Sequence, residues 1–177
     1  MELLEHFLAG ASASCGLVLI GAGGLKVRDR RTFGSQIVAY DLLPRSAAHL
    51  LGEILPFAEI LAGLLLLILP GLGGVLSAIL FLAFAAAIGV NLARGRRELV
   101  CGCFGPAGRQ TITPAHVVVN LVMAALAAGA SVRTTRPTAD ELLTGGTLVL
   151  AALLGKGALD LRRMIRESLL GPTDSGA

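Results

Sequence analysis

The residues best suited to chemistry are Cys101 and Cys103, in the run Cys101-Gly102-Cys103-Phe104-Gly105-Pro106. Two cysteines one residue apart would close a small, strained disulfide ring. Such a ring encloses too few residues to add much loop-entropy stabilisation, and strain makes a bridge easier to reduce. The neighbouring glycines supply backbone angles that other residues resist. The pattern points to thiol–disulfide exchange rather than to a structural staple. Exchange requires a thiolate, and Arg94, Arg96, Arg97 and Arg109, close by in sequence, would favour one. Two other readings stay open. The pair could contribute to a metal site with His49 or His116, although two cysteines alone do not make a tetrahedral zinc set. It could also be a packed turn whose thiols are inert.

A second group of polar residues stands out because its surroundings are so apolar. Lys26 closes one long apolar run; His49 and Glu53 are four apart near the start of the next, and so share a helical face. Asn91 falls near the end of a third run, and His116 and Asn120 open a fourth. Alternating topology brings these to the same side as the cysteine loop, so a polar cluster is expected beneath it. The alternative is interfacial decoration, with side chains reaching water from helix ends; that is the reading adopted for His116. Glu59 is different. It sits near the middle of a 24-residue run, 46–69, where an ionised carboxylate is costly, so it must face the bundle interior, be protonated or pair. Cys15 is also near the middle of its run and reads as a small apolar residue, with a third redox thiol as the alternative.

The elements that must position these residues follow from composition. Of 177 residues, 54% are apolar and only 15% charged, with 23 glycines besides, and the mean hydropathy is +0.77. That excludes intrinsic disorder. Three cysteines exclude a disulfide-rich scaffold, and a net charge of +3 gives no reason to expect nucleic acid as a partner. An integral membrane protein in a lipid bilayer remains. Spanning helices need roughly 20 apolar residues. The runs 7–25, 46–69, 72–93 and 115–132 qualify, and 142–161, interrupted by Lys156, gives a fifth, C-terminal helix. The expected fold is therefore an all-α membrane bundle of four transmembrane helices plus that fifth, in a single membrane domain. Thr113-Pro114 reads as N-cap and first helical position of the fourth span, Thr138-x-x-Glu141 as a capping box opening the fifth, and Pro70-Gly71 as a stop between the second and third. Phe33, Ile37 and Tyr40 have the spacing of a short amphipathic helix on the membrane surface; a folded loop packed under the bundle is the equal alternative. Gly21-x-Gly23-Gly24 reads as small-residue packing or a helix end rather than a nucleotide loop.

Charge gives an orientation. Thirteen of fifteen Lys and Arg residues lie in the loops after the first and third spans or at the C-terminal end; only Arg133 and Arg136 lie opposite. The positive-inside rule puts the cysteine loop in the cytoplasm and the N-terminus outside, in a multi-pass protein of the inner (plasma) membrane. The first span is read as a retained helix and not a signal peptide, because Glu2 and Glu5 precede it without Lys or Arg.

Four stretches then resemble a known family: Gly24-Leu25-Lys26-Val27-Arg28-Asp29; Tyr40-Asp41-Leu42-Leu43-Pro44; Leu55-Pro56-Phe57-Ala58-Glu59-Ile60 with Gly63; and Asn91-Leu92-Ala93-Arg94-Gly95 leading to Cys101-Gly102-Cys103-Phe104-Gly105. Asn120 also fits. Over about 7–132 the chain is similar to the MauE-like, DoxX-related redox-associated membrane proteins, named for methylamine utilisation. The resemblance implies a bundle of four spans working with a thioredoxin-like partner, Cys101 and Cys103 as the redox pair, and a link to maturation of a disulfide-rich periplasmic dehydrogenase subunit. The helix at 142–161 departs from that pattern, and no thioredoxin domain is fused within these 177 residues. Periplasmic work would put the pair outside, whereas the arginines put it inside; a cytoplasmic pair could take electrons from a reducing thioredoxin and hand them across the bundle. The expected redox group is the Cys101–Cys103 disulfide itself, with no other cofactor and no metal assigned and a quinone left open. Two further functions compete: a small-molecule or metal-ion transporter with Glu59 as its midplane site, and a non-catalytic scaffold for an oxidoreductase complex.

Overall fold

The computed structural model describes residues 2–102, 110–132, 138–141, 143–144, 147 and 151. The helices are α1 (Glu2–Arg28), α2 (Arg30–Tyr40), α3 (Arg45–Ile68), α4 (Pro70–Ala93) and α5 (Pro114–Ala130). Three are long and apolar enough to cross a membrane: Ala9–Arg28, with 20 residues, and α3 and α4, with 24 each. The fourth, α5, has 17 residues, at the lower end of the length that spans a hydrocarbon core. The all-α membrane architecture is as expected. Of the fifth helix expected over 142–161, only residues 143, 144, 147 and 151 are described.

Helices α1, α3, α4 and α5 close a ring, with α1 packed mainly on α3 and α4 mainly on α5. Its interior is built from small residues. Ala13, Ala62, Ala78, Ala124 and Ala127 are all buried, while Leu50, Ile54, Leu61, Ile79, Leu82 and Val118 point outward. Lipid is as apolar as a leucine side chain, so large residues gain nothing by turning inward. Helices in a bilayer gain instead from close backbone approach across small residues. Gly63 is the tightest such point between α1 and α3: a Cβ there would lie 2.6 Å from the Gly16 carbonyl oxygen. Farther along the same seam, a Cβ on Gly23 would lie 2.6 Å from the Pro56 carbonyl oxygen. Of the glycine run read as packing, Gly23 makes this contact; a Cβ on Gly21 or Gly24 would meet nothing within 4 Å.

One boundary differs from expectation. Pro70 does not end α3; it is the first residue of α4, and Leu69 alone joins the two helices. Proline lacks an N–H, and the first helical turn is where that loss costs nothing. The segment after α1 combines the two readings offered for it. It is helical over Arg30–Tyr40, with the Asp29 carboxylate accepting from the Thr32 N–H at 3.2 Å. It also packs under the bundle, with Phe33 and Gly34 buried and Gly34 seated against Gly52 of α3.

The two capping signals are present. The Thr113 N–H donates to His116 Nδ1 at 3.1 Å, with Pro114 in the first turn of α5. The Thr138 N–H donates to a Glu141 carboxylate oxygen at 2.7 Å.

Candidate functional site

One end of the bundle gathers the end of α1, all of α2, the start of α3, the end of α4, the loop after it and the start of α5. Lys26 and Glu59 meet there. Their side chains are 1% and 0% exposed, and the Lys26 ammonium donates to Glu59 Oε1. The close approach at Gly23 and Pro56 makes this possible. A Cβ on Gly23 would also lie 3.2 Å from Glu59 Cβ, and Lys26 follows Gly23 by about one turn on the same face of α1, so its long side chain reaches the carboxylate. The remaining carboxylate oxygen, Oε2, has no hydrogen-bond partner among the described residues. Two aromatic rings flank the ammonium, Phe33 of α2 at 4.9 Å and Phe84 of α4 at 5.0 Å to the centroids. A desolvated ammonium gains on the order of 2 kcal/mol from such a ring face. Glu59 thus satisfies two of the expectations for a midplane carboxylate: it faces inward and it is paired.

A cavity of about 280 Å³ adjoins this pair. Lys26, Phe33 and Gln36 line one side, Phe84 and Ile88 another, and Cys101 and Gly102 a third. Gln36 Oε1 is buried and has no partner among the described residues. The loop carrying Cys101 is pinned at its base. Val100 and Thr111 form an antiparallel bridge, the Cys101 N–H donates to the Gln110 carbonyl at 2.9 Å, and the Ile112 N–H donates to the Leu99 carbonyl at 2.9 Å. Leu99 and Ile112 bury themselves against Ile88. The Tyr40 hydroxyl donates to the Cys101 carbonyl at 3.1 Å, fixing the loop to the end of α2. Gly102 follows with φ +69°, a left-handed value, and a Cβ there would lie 2.8 Å from Gln36 Oε1. Only glycine meets both conditions at low cost. Cys103 and residues 104–109 lie outside the described residues.

Two of the arginines tie the loop to α2. Arg96 reaches from the loop after α4 to α2, donating to the Ala39 carbonyl at 2.8 Å, the Tyr40 carbonyl at 3.3 Å and Asn91 Oδ1 at 3.3 Å. Arg94 donates to the Asp41 carbonyl at 3.1 Å. Both guanidiniums therefore sit at the negative, C-terminal end of α2. Arg97 is exposed, and Arg109 lies outside the described residues.

The expected polar cluster forms in part. Lys26, Glu59 and Asn91 are buried at this end; Asn91 is fully buried, and its amide donates to the Ala87 carbonyl at 3.1 Å. Asn120 is buried but bonds within its own helix, to the His116 carbonyl at 2.8 Å. His49 is exposed. Glu53 turns to the surface and pairs with Arg30 at 3.3 Å, with side chains 59% and 41% exposed. Neither His49 nor Glu53 lines the cavity. Cys15 is fully buried in the alanine-rich core, its Sγ 3.8 Å from Met123 Sδ, in a different apolar cluster from the one Cys101 joins. Among the described residues no three His, Cys, Asp or Glu side chains gather as a metal site would require. Gln36 and Phe84 are the site residues that sequence reasoning missed. Gln36 shares the helical face of Phe33, Ile37 and Tyr40, which was a usable signal; Phe84 sits in a uniformly apolar run that offered none.

The family model for methylamine utilisation protein MauE matches residues 4–133. The chain belongs to the MauE family. Among curated MauE proteins, that of Paracoccus denitrificans is 31% identical over 157 residues, covering 88% of this chain and 82% of the relative. That of Paracoccus versutus is 32% identical over 170 residues, covering 95% of this chain and 85% of the relative. That of Methylophilus methylotrophus is 34% identical over 119 residues, covering 66% and 63%. No solved structure matches the chain. The matched MauE region contains every element described above, from the start of α1's apolar run through α5, and it includes the Lys26–Glu59 pair, the cavity and the cysteine loop. The chain is a multi-pass membrane protein of this family.

Proposed function

We propose that the chain is a membrane thiol–disulfide redox protein of methylamine utilisation, whose Cys101–Cys103 pair exchanges electrons with a thioredoxin-like partner. The relatives' printed name supplies the metabolic context. The observation that carries the chemistry is the placement of Cys101. It lies at the wall of a cavity, on a loop whose base is fixed by a backbone bridge and by Tyr40. A left-handed glycine follows it. A fixed base suits a pair that must open and close without disturbing the helices. Partner disulfides needed for protein maturation are the natural substrates of such a pair. In this reading the pair works at the cytoplasmic face of the inner membrane, which the basic loops support.

Glu59 belongs to the frame in this reading. Its charge is matched by Lys26, so it is poorly suited to be the midplane cation site of a transporter.

Two variants test the proposal. Cys101→Ser and Cys103→Ser proteins should each lose exchange with a thioredoxin-like protein while inserting normally; full exchange by either variant would contradict it. Sidedness is read separately with a charged, membrane-impermeant thiol reagent. Labelling of Cys101 only after cell lysis supports the cytoplasmic assignment, and labelling in intact cells opposes it.

A further inference from the structure

The cavity beside Cys101 has the chemistry of a binding site for a particular class of molecule, and we propose that it takes a membrane quinone as the electron acceptor of the dithiol. This rests on the redox reading above for its electron donor, but the cavity argument stands on geometry alone.

Four features select the ligand. The first is polarity. The Lys26 ammonium and the Gln36 amide can donate hydrogen bonds into a mostly apolar space, which Tyr40 also lines with its hydroxyl engaged by the Cys101 carbonyl. Lys26 is already neutralised by Glu59, so the cavity favours a neutral molecule with carbonyl acceptors over an anionic headgroup. The second is shape. The rings of Phe33 and Phe84 flank the ammonium, and a volume of about 280 Å³ exceeds the roughly 150 Å³ apolar cavity known to hold a benzene ring. A substituted six-membered ring fits such a space. The third is the rim. Leu42, Leu43 and Leu51 line the cavity and are 36–43% exposed, so it continues onto the apolar exterior beside Leu50 and Ile54. A hydrocarbon tail would leave by that route into the bilayer. The fourth is Gln36 Oε1, buried without a partner among the described residues. A buried acceptor left unmatched costs on the order of 1–3 kcal/mol. The hydroxyl of a reduced quinone is the donor it lacks, while the amide N–H of the same side chain serves the oxidised carbonyl.

The chemistry balances without a further reagent. The Cys101 and Cys103 thiols form one S–S bond and lose two S–H bonds. The two electrons and two protons released pass to the quinone, whose carbonyl oxygens become the two hydroxyls of a quinol. Electrons taken from a thioredoxin-like partner would thus enter the membrane pool.

The test uses the purified full-length chain in detergent, with decyl-ubiquinone as ligand and an azido-ubiquinone as photolabel. Wild-type protein should bind, with the label mapped to cavity residues and displaced by decyl-ubiquinone. Leu55→Trp and Ala87→Phe, which fill the cavity from two different helices, should weaken binding roughly tenfold or more; the melting curve by circular dichroism certifies each fold. Reduced wild-type protein should yield one quinol per disulfide formed, and the double cysteine variant none. Failure of wild-type protein to label, or undiminished binding by both folded cavity variants, overturns the quinone site. If exchange with a thioredoxin-like protein persists in that case, the redox reading survives alone. Quinone binding by a dithiol that exchanges with thioredoxin yet forms no quinol overturns the electron-transfer step. Quinone binding with no thiol exchange overturns the redox reading and the step that depends on it.

Discussion

Lys26 of α1 and Glu59 of α3 form an ion pair in which neither side chain is more than 1% exposed. Thirty-three residues apart in sequence, they lock two helices whose backbones approach closely at Gly63 and Gly23. Taking either charge away strands the other in an apolar interior, where an isolated charge is far more costly than a matched pair. Glu59→Leu and Lys26→Met should each destabilise the protein by about 3–5 kcal/mol. The double variant Lys26→Met/Glu59→Leu should recover more than half of the summed loss. Unfolding of the four proteins in mixed micelles measures the coupling; strictly additive losses would show that the pair is not a unit.

Gly23 and Gly21 lie two apart on α1 and should respond oppositely to the same change. A Cβ on Gly23 meets the Pro56 carbonyl at 2.6 Å, whereas a Cβ on Gly21 meets nothing within 4 Å. Gly23→Ala should cost about 1–3 kcal/mol, as overpacking does, and should weaken the Lys26–Glu59 register. Gly21→Ala should be neutral or stabilising by a few tenths of a kcal/mol, roughly, through helix propensity. Thermal denaturation of the two single variants decides this, and equal effects would argue against the seam.

Gly102 answers to two constraints that can be separated. Alanine there suffers both the left-handed backbone and the clash with Gln36. Asparagine tolerates left-handed angles better, and Gln36→Ala opens the space. Thiol exchange should therefore fall most in Gly102→Ala, less in Gly102→Asn, and recover partly in Gly102→Ala/Gln36→Ala. Exchange rates with a thioredoxin-like protein, measured on folded variants, give the ranking; no recovery on removing Gln36 would mean that the backbone angle alone matters.

Arg96 should matter more than its exposed neighbour Arg97. It donates to two carbonyls at the end of α2 and to the buried Asn91 side chain. Hydrogen bonds involving a charged group contribute about 1.5–3 kcal/mol each, net of exchange with water. Arg96→Ala should increase amide hydrogen exchange across Ala39–Asp41, with Arg97→Ala leaving it unchanged. By the same logic, the exposed Arg30–Glu53 pair is worth at most about 1 kcal/mol. Glu53→Gln and His49→Ala should then leave thiol exchange intact, and a large loss in either would return those residues to the site.

Much of this was readable in the chain. Long uncharged runs mark the spanning helices because a bilayer tolerates little else. Thr113-Pro114 and Thr138-x-x-Glu141 mark helix starts because the first turn leaves N–H groups to be satisfied. Glu59 could be named as inward-facing for the same energetic reason, and Lys26 as a member of the polar end. What could not be read was that the two meet. Their pairing depends on the axial register of α1 against α3, which the Gly16–Gly63 and Gly23–Pro56 contacts determine. His49 and Glu53 do share a helical face, but periodicity does not say which face turns inward; theirs faces out, and Arg30 meets Glu53 there. Nor could sequence show that two of the arginines reach the carbonyls that end α2, because that depends on how the loop after α4 folds back onto it.

The central claim is that Cys101 and Cys103 cycle between dithiol and disulfide against a thioredoxin-like protein. The most direct measurement incubates the purified full-length chain with a thioredoxin lacking its resolving cysteine. Trapped mixed disulfides are then mapped by mass spectrometry. The account predicts a mixed disulfide at Cys101 or Cys103, absent from the Cys101→Ser/Cys103→Ser protein and never at Cys15, which the core encloses. No trapped species at either loop cysteine, in folded protein with both residues present, would contradict it.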